Sequence, residues 1–163
     1  LITPKMSFGT GHHATTYLMM QQMRSIDFNS KSVFDFGTGT GILAILAEKL
    51  GAAEIMAIDN DPWCIENTEE NIQVNQCNKI QVALADQLKT DTQYDIVIAN
   101  INRHILEQNA AALQAITMKG GTLLISGLLC SDEEDMIKLF NEKGFHYQKT
   151  VQKDGWVAIQ FLA

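Results

Sequence analysis

A glycine-rich stretch after a short apolar run is the part of this sequence with the clearest chemical use. It combines one carboxylate with alternating glycines and threonines: Asp35, Phe36, Gly37, Thr38, Gly39, Thr40, Gly41. Glycine permits backbone angles that side chains forbid, and without a Cβ the main chain can approach a ligand near the positive end of the next helix. The order of strand, glycine turn and helix therefore predicts a turn that binds a ligand.

The next strand-like run ends in Asp59, where a carboxylate can accept hydrogen bonds from both hydroxyls of a ribose. Two nucleoside cofactors fit this pattern. NAD fits because Gly39, Gly41 and Ala44 satisfy the G-x-G-x-x-A fingerprint of dinucleotide binders. S-adenosylmethionine fits because Asp35 would crowd a pyrophosphate but can face an ammonium and a sulfonium group. The sign of the charge favours the methyl donor, and NAD stays the alternative.

Two further polar residues follow predicted strands, at the edge where doubly wound sheets bind ligands. Asp86 is placed to accept a hydrogen bond from an adenine amino group, although a loop carboxylate in water is the plainer interpretation. Asn100 is a neutral amide that can accept a hydrogen bond from an incoming amine without making it an ammonium. Asparagine at a strand end is also a common turn former. We expect Asn100 to contact both the donor and the reacting amine.

Apolar runs alternate with amphipathic segments along the chain, which predicts an α/β fold with helices on both faces of a sheet. Seven strands are predicted: Ser32–Phe36, Glu54–Ile58, Ile80–Leu84, Tyr94–Ala99, Thr122–Ser126, Phe145–Thr150 and Trp156–Phe161. Helices are predicted at Ile42–Leu50, Pro62–Val74, His104–Thr117 and Asp132–Lys143, the last capped by Ser131. A short turn at residues 153–155 joins the last two strands, so the mostly parallel sheet should close with an antiparallel hairpin.

Composition limits the partners. The 163 residues are 46% hydrophobic, enough for one domain, and the formal net charge of -7 disfavours phosphate-rich nucleic acid. It suits a basic protein or a small cation, although an ordinary soluble enzyme carries such a charge equally well. Three widely spaced cysteines without a CxxC pair predict neither disulfides nor a metal site. With no membrane-spanning run or signal pattern, we expect a cytoplasmic monomer without membrane contact.

The run from Asp35 to Gly41 matches the D-x-G-x-G-x-G signature of Rossmann-like class I methyltransferases. Four segments together closely resemble the PrmA family, which methylates the eleventh protein of the large ribosomal subunit: residues 8–16, residues 35–41, Ile58-Asp59-Asn60-Asp61-Pro62 and Val97-Ile98-Ala99-Asn100-Ile101. The resemblance spans almost the whole chain. It implies S-adenosylmethionine as cofactor and adds Asn60 to the cofactor-binding residues.

Residues 8–16 are the most family-specific part of the resemblance. The positions that match F-G-T-G-x-H-x-T-T are Phe8, Gly9, Thr10, Gly11, His13, Thr15 and Thr16. The resemblance implies a loop that closes over the methionine end of the cofactor. Ala14 stands where many relatives carry proline, and His12 occupies a variable position. His13 could assist catalysis or hold the loop by hydrogen bonds.

The resemblance implies methyl transfer to lysine side chains or the α-amine of a ribosomal protein. Family members carry an N-terminal substrate-recognition domain, so we expect residues 1–163 to be the catalytic domain alone. Another protein or a small amine as acceptor, and a binding module without catalysis, are alternatives. A nucleic-acid amine methyltransferase is disfavoured because Asn100-Ile101-Asn102-Arg103 lacks the aromatic residue that would stack on a flipped base.

Overall fold

The structure is a computed structural model, and it describes residues 1–3, 13–88 and 91–163. Helices and strands follow in this order: α1 (Ala14–Met23), β1 (Ser32–Phe36), α2 (Ile42–Lys49), β2 (Glu54–Asp59), α3 (Pro62–Val74), β3 (Ile80–Leu84), β4 (Tyr94–Asn100), α4 (Arg103–Ile116), β5 (Thr117–Leu129), α5 (Glu133–Glu142), β6 (His146–Lys153) and β7 (Trp156–Leu162). None of the helices within the described ranges has the length and apolar character needed to cross a membrane.

The seven strands form one sheet in the order β3-β2-β1-β4-β5-β7-β6. β1 to β5 pair in parallel, and β7 runs antiparallel to both β5 and β6. The predicted mostly parallel seven-stranded sheet with a C-terminal antiparallel hairpin is confirmed. The order reverses between β1 and β4, and such a switch point opens a crevice beyond the carboxyl ends of the strands.

Apolar layers cover both faces of the sheet, because successive strand residues point to opposite sides. Val33 of β1 packs in the layer formed with α1 and α2, and the next residue, Phe34, packs in the layer formed with α4 and α5. Both side chains are almost fully buried. The central strands are thus fixed from both sides, which holds their carboxyl ends in place.

The predicted boundaries around β5 are wrong. The sequence predicts a helix up to Thr117 and a strand from Thr122, but β5 already begins at Thr117, which pairs with Tyr94 of β4. Two glycines, Gly120 and Gly121, do not separate the helix from the strand. Gly121 lies inside the strand instead, where an added Cβ would lie 2.8 Å from the Asp95 carbonyl oxygen. It permits a close approach of two strands.

The predicted cap of the last helix is also wrong. A single 3-10 turn, Cys130–Asp132, precedes α5, which begins at Glu133. Asp132 Oδ2 accepts the Leu129 N–H at 2.9 Å, so an aspartate fixes this entry rather than Ser131. The predicted hairpin is confirmed: Asp154 (φ 51°) and Gly155 (φ 81°) form the two-residue turn between β6 and β7.

Candidate functional site

A cavity of about 620 Å³ opens at the switch point. Eight of the residues predicted for the site line it: His13, Thr15, Gly37, Gly39, Asp59, Asn60, Asp86 and Asn100. Three others are buried behind the wall: Asp35, Thr38 and Gly41. The predicted Phe8, Gly9 and Thr10 lie outside the described residues.

The turn between β1 and α2 needs its glycines. Gly37, Gly39 and Gly41 have φ angles of 75°, 60° and 77°, a region that side chains disfavour. A Cβ on Gly41 would also lie 2.7 Å from Thr68 Cγ2 on α3, and a Cβ on Gly37 would collide with the Ile101 side chain. The turn is therefore pressed between α3 and the segment that follows β4.

Three successive N–H groups of this turn bind to the end of β2. The N–H groups of Gly37 and Thr38 both donate to the Ile58 carbonyl oxygen at 2.9 Å. The Gly39 N–H donates to Asp59 Oδ2, also at 2.9 Å. A phosphate placed over the turn would find these three donors already used, so the turn is poorly suited to hold a pyrophosphate.

Asp59 is held from two sides. Its Oδ2 accepts the Gly39 N–H, and its Oδ1 accepts the Asp61 N–H at 3.0 Å. Each carboxylate oxygen keeps further acceptor capacity, and the residue is half-buried on the cavity wall. Asp59 thus has a fixed orientation with free lone pairs to offer a ligand.

Asp35 lies beneath the turn, 1% exposed, and not on the cavity wall. Thr38 Oγ1 donates to its Oδ2 at 2.7 Å, whereas Oδ1 has no hydrogen-bond partner among the described residues. Burial raises the pKa of this carboxyl to about 7, and the nearby Asp59 carboxylate adds to the rise. Hydrogen bonding by Thr38 and by the backbone of Ala44 opposes that rise in pKa without reversing it.

The first turn of α1 forms another part of the wall. His13 caps this helix, with Nδ1 2.8 Å from Thr15 Oγ1 and 3.3 Å from the Thr15 N–H. Of the two roles considered for His13, the structure shows local hydrogen bonding. Asn100 Nδ2 donates to Thr16 Oγ1 at 3.4 Å and so joins the end of β4 to α1. The Oδ1 of Asn100 is the atom that can accept a hydrogen bond from a ligand.

Sequence reasoning missed several residues on the wall, among them Trp156 and Cys64. The Trp156 ring meets the His13 ring edge-on, with centroids 5.0 Å apart. The sequence shows that Trp156 directly follows the hairpin turn. It does not show that β7 pairs with β5, and this pairing brings Trp156 to the cavity. Burial, together with the carboxylates of Asp59 and Asp61, raises the pKa of the Cys64 thiol to about 11, so the thiol is neutral at physiological pH.

Gly127 also lines the cavity and has a φ of 84°. A Cβ there would collide with the Ile101 backbone, so Gly127→Ala is expected to lower the free energy of unfolding by about 2 kcal/mol through overpacking and strain. Gly120→Ala is the matched control in the same strand, since its φ is 78° and none of the described residues has an atom within 4 Å of the added Cβ. Urea unfolding checks both variants. Equal losses of stability would contradict the collision.

The charged side chains among the described residues of the cavity wall are all carboxylates. Three carboxylates line the cavity, those of Asp59, Asp61 and Asp86, and the described residues of the wall include no lysine or arginine. These carboxylates do not form a metal site, since no cluster of three or more His, Cys, Asp or Glu suited to a metal occurs in the described ranges. The cavity therefore suits an uncharged or cationic ligand better than a phosphate.

Two curated proteins and one solved structure illustrate what the chain is similar to. It is 43% identical over 163 residues to the ribosomal protein L11 methyltransferase of Porphyromonas gingivalis and 40% identical to that of Chlorobaculum parvum. These alignments cover 99% and 96% of this chain, but only 56% of each relative, so the chain spans little more than half their length.

The crystal structure of the ribosomal protein L11 methylase from Lactobacillus delbrueckii subsp. bulgaricus superposes with a TM-score of 0.91 at 27% identity, covering 98% of this chain and 82% of that one. The family model described as ribosomal protein L11 methyltransferase (PrmA) matches residues 1–163. Because that match covers every residue, the chain belongs to the ribosomal protein L11 methyltransferase (PrmA) family.

Proposed function

We propose that this chain transfers methyl groups from S-adenosylmethionine to amino groups of a ribosomal protein, at lysine side chains or the α-amine. The observation that carries the proposal is the charge of the cavity wall, with three carboxylates and no lysine or arginine among its described residues. A donor with a sulfonium and an ammonium group is attracted to such a wall, and a pyrophosphate is repelled. Residues 1–163 would form the methyl-transfer domain.

The donor's nucleoside would lie along the ends of β2 and β3. Asp59 has acceptor capacity for the two ribose hydroxyls, and the exposed Asn60 lies beside it on the same wall. Asp86 lies just past β3, where it can accept from the adenine amino group. Gly37 and Gly39 allow the main chain to pass close to the ligand because they carry no Cβ.

The methionine end of the donor would lie over β1 and the start of α1. Asp35 lies beneath the turn, and its Oδ1, which has no hydrogen-bond partner among the described residues, can face a cationic group above it that would favour the ionised carboxylate. His13 and Thr15 form the adjoining wall. The resemblance adds Phe8, Gly9 and Thr10, which would close this end of the cavity. Thr38 and Gly41 contribute from behind the wall by shaping the turn.

NAD is a weaker candidate on two observations. The N–H groups of Gly37, Thr38 and Gly39 are used within the protein, so they do not form the donor set that a pyrophosphate needs. The wall also lacks a described cation to balance two phosphate charges. A zwitterionic or cationic nucleoside needs neither feature.

The acceptor amine would enter beside Asn100. When bound, S-adenosylmethionine supplies an electrophilic methyl group attached to a sulfonium. A lysine ammonium, with a pKa near ~10.4, first loses its proton to solvent. Asn100 Oδ1 then accepts an N–H of the neutral amine and directs its lone pair, while Trp156 and His13 restrict its approach. Orientation of this kind can lower a barrier by about 7–11 kcal/mol.

Two observations support the proposed acceptor: the names of the curated relatives and the net charge of this chain. The curated relatives are named for ribosomal protein L11, and the chain's formal net charge of -7 favours a basic partner over nucleic acid. We therefore propose ribosomal protein L11 as the acceptor. Another protein or a small amine is the alternative that an assay can reveal.

Calorimetric titration with S-adenosylhomocysteine tests the donor, and NADH is the comparison ligand. We expect the chain to bind S-adenosylhomocysteine and not NADH. Single-turnover reactions with methyl-labelled S-adenosylmethionine then test the acceptor, with purified ribosomal protein L11 against free lysine. Binding of NADH alone would overturn the donor. Label on free lysine but not on the protein would overturn the acceptor.

Asn100→Ala is expected to slow single-turnover transfer by about 100-fold and to change donor affinity far less, because the lost amide orients the amine. Asn141→Ala is the control: this exposed asparagine lies on α5, away from the cavity wall, and its Oδ1 accepts the Tyr147 N–H. The measurement pairs the transfer rate with the dissociation constant of S-adenosylhomocysteine. Equal rates for the two variants would remove Asn100 from the mechanism.

A further inference from the structure

Helix α3 buries two polar side chains against the glycine turn. Thr68 and Asn71 are both 0% exposed, although neither residue lines the cavity. Burying a polar group costs free energy unless its hydrogen bonds are made. The hydrogen-bond partners of these two side chains therefore identify the part of the site that they hold in place.

Both side chains donate to successive carbonyl groups of the turn. Thr68 Oγ1 donates to the Gly39 carbonyl oxygen at 2.9 Å, and Asn71 Nδ2 donates to the Thr40 carbonyl oxygen at 2.9 Å. Carbonyl oxygens bound in this way point toward α3. A flip of either peptide would lose a buried hydrogen bond and turn a partial negative charge elsewhere. The two donors therefore fix the conformation of the turn.

Asn71 also binds the start of the chain. Its Oδ1 accepts the Thr3 N–H at 2.8 Å, and its Nδ2 lies 3.4 Å from the Thr3 carbonyl oxygen, to which Asn67 Nδ2 of the same helix donates at 2.8 Å. The carboxamide thus contacts the backbone of Thr3 on one side and Thr40 on the other. At the C-cap of α3, Asn75 holds Leu1 in a similar way, with Nδ2 2.6 Å from the Leu1 carbonyl oxygen.

We infer that Asn71 is a positioning residue of the donor site, which couples the docking of residues 1–3 to the conformation of the glycine turn. The inference rests on the proposed function, since it concerns binding of the same donor. Because one carboxamide serves both segments, a ligand that requires the turn in its observed form also favours docking of Thr3. Docking of Thr3 in turn favours donor binding by the same factor.

Two substitutions distinguish the contact of Asn71 with Thr3 from its contact with Thr40. Asn71→Ala removes both contacts. Asn71→Asp keeps the acceptor for the Thr3 N–H but replaces the donor to the Thr40 carbonyl by a carboxylate oxygen. The matched control is Gln73→Ala, which removes an exposed amide side chain two residues further along the same helix.

We expect both Asn71 variants to raise the dissociation constant of S-adenosylhomocysteine about tenfold, and Gln73→Ala to stay within about twofold of the wild type. In steady-state assays the KM for S-adenosylmethionine should rise by a similar factor while kcat changes little. A merely destabilised protein would lose kcat through a smaller folded fraction. Thermal unfolding followed by circular dichroism confirms that each variant is folded at the assay temperature.

Solvent exchange of the Thr3 N–H, followed by NMR, tests the coupling. In the wild type, S-adenosylhomocysteine should slow this exchange severalfold, and in Asn71→Asp the ligand should leave it unchanged. The inference alone fails if the wild type binds the ligand and the Asn71 variants bind it equally well. It also fails alone if the wild type binds the ligand but the exchange rate of the Thr3 N–H does not change. If the wild type does not bind the ligand, the proposed function fails and the inference fails with it.

Discussion

Replacing Asp59 by alanine should weaken binding of S-adenosylhomocysteine by about 100-fold. In the proposed complex this carboxylate accepts two ribose hydroxyls, and hydrogen bonds to charged groups contribute roughly 1.5 kcal/mol each. Their combined loss of about 3 kcal/mol corresponds to two orders of magnitude in the dissociation constant. The same change also releases the Gly39 and Asp61 N–H groups, which now hold the carboxylate in place.

Asp61→Asn is the electrostatic control for this prediction. It removes one negative charge from the same wall, and asparagine can still accept the Trp63 N–H that caps α3. Calorimetric titration should therefore show a loss of affinity for Asp61→Asn that is a small fraction of the loss for Asp59→Ala. If the two variants bind S-adenosylhomocysteine equally, Asp59 acts only through its charge and does not contact the ribose.

The sequence was sufficient to predict which residues meet at the cavity, because their meeting depends on strand ends. A strand, a glycine turn and a helix fix where Gly37 and Gly39 lie, and Asp59 and Asn100 each end a neighbouring strand. In a parallel sheet these ends meet at one edge, so the four residues had to come together. Their presence on one cavity wall follows from this topology.

The direction of a buried side chain could not be predicted in the same way. The sequence shows that Asp35 precedes the turn, but in the structure its side chain lies beneath the turn, bound to Thr38. Trp156 and Asn71 were missed for a related reason. Both reach the site through contacts between elements distant along the chain, and no spacing along the sequence encodes which face of a helix or hairpin meets the turn.

Replacing Asp35 by asparagine should change how stability depends on pH. The pKa of this carboxyl is about 7 in the folded protein, raised from 3.8 mainly by burial. At a pH between these two pKa values, the folded state therefore keeps a proton on Asp35 that the unfolded state has released. Linkage then requires the wild type to lose stability as pH rises from about 4 to about 7, with no further loss from this group above that range.

The expected size follows from the interval between the two pKa values. Each pH unit contributes about 1.4 kcal/mol, so the stability of Asp35→Asn relative to the wild type should increase by about 4 kcal/mol between pH 4 and pH 8. A constant offset from the buried amide does not affect this slope. Urea unfolding at several pH values measures it. Parallel pH profiles for the two proteins would show that the carboxyl is ionised when buried.

Thr38→Val gives the opposite test, because its hydroxyl donates to Asp35 and opposes the rise in pKa. Without that hydrogen bond, the pKa of Asp35 should rise further, and the loss of stability should continue to higher pH.

A bound cation should act in the reverse direction, since the ammonium of S-adenosylhomocysteine favours the ionised carboxyl. The affinity of the wild type should accordingly increase from pH 5.5 to about 7, and that of Asp35→Asn should not. A wild-type affinity independent of pH over this interval would place the ammonium away from Asp35 while leaving the role of Asp59 intact.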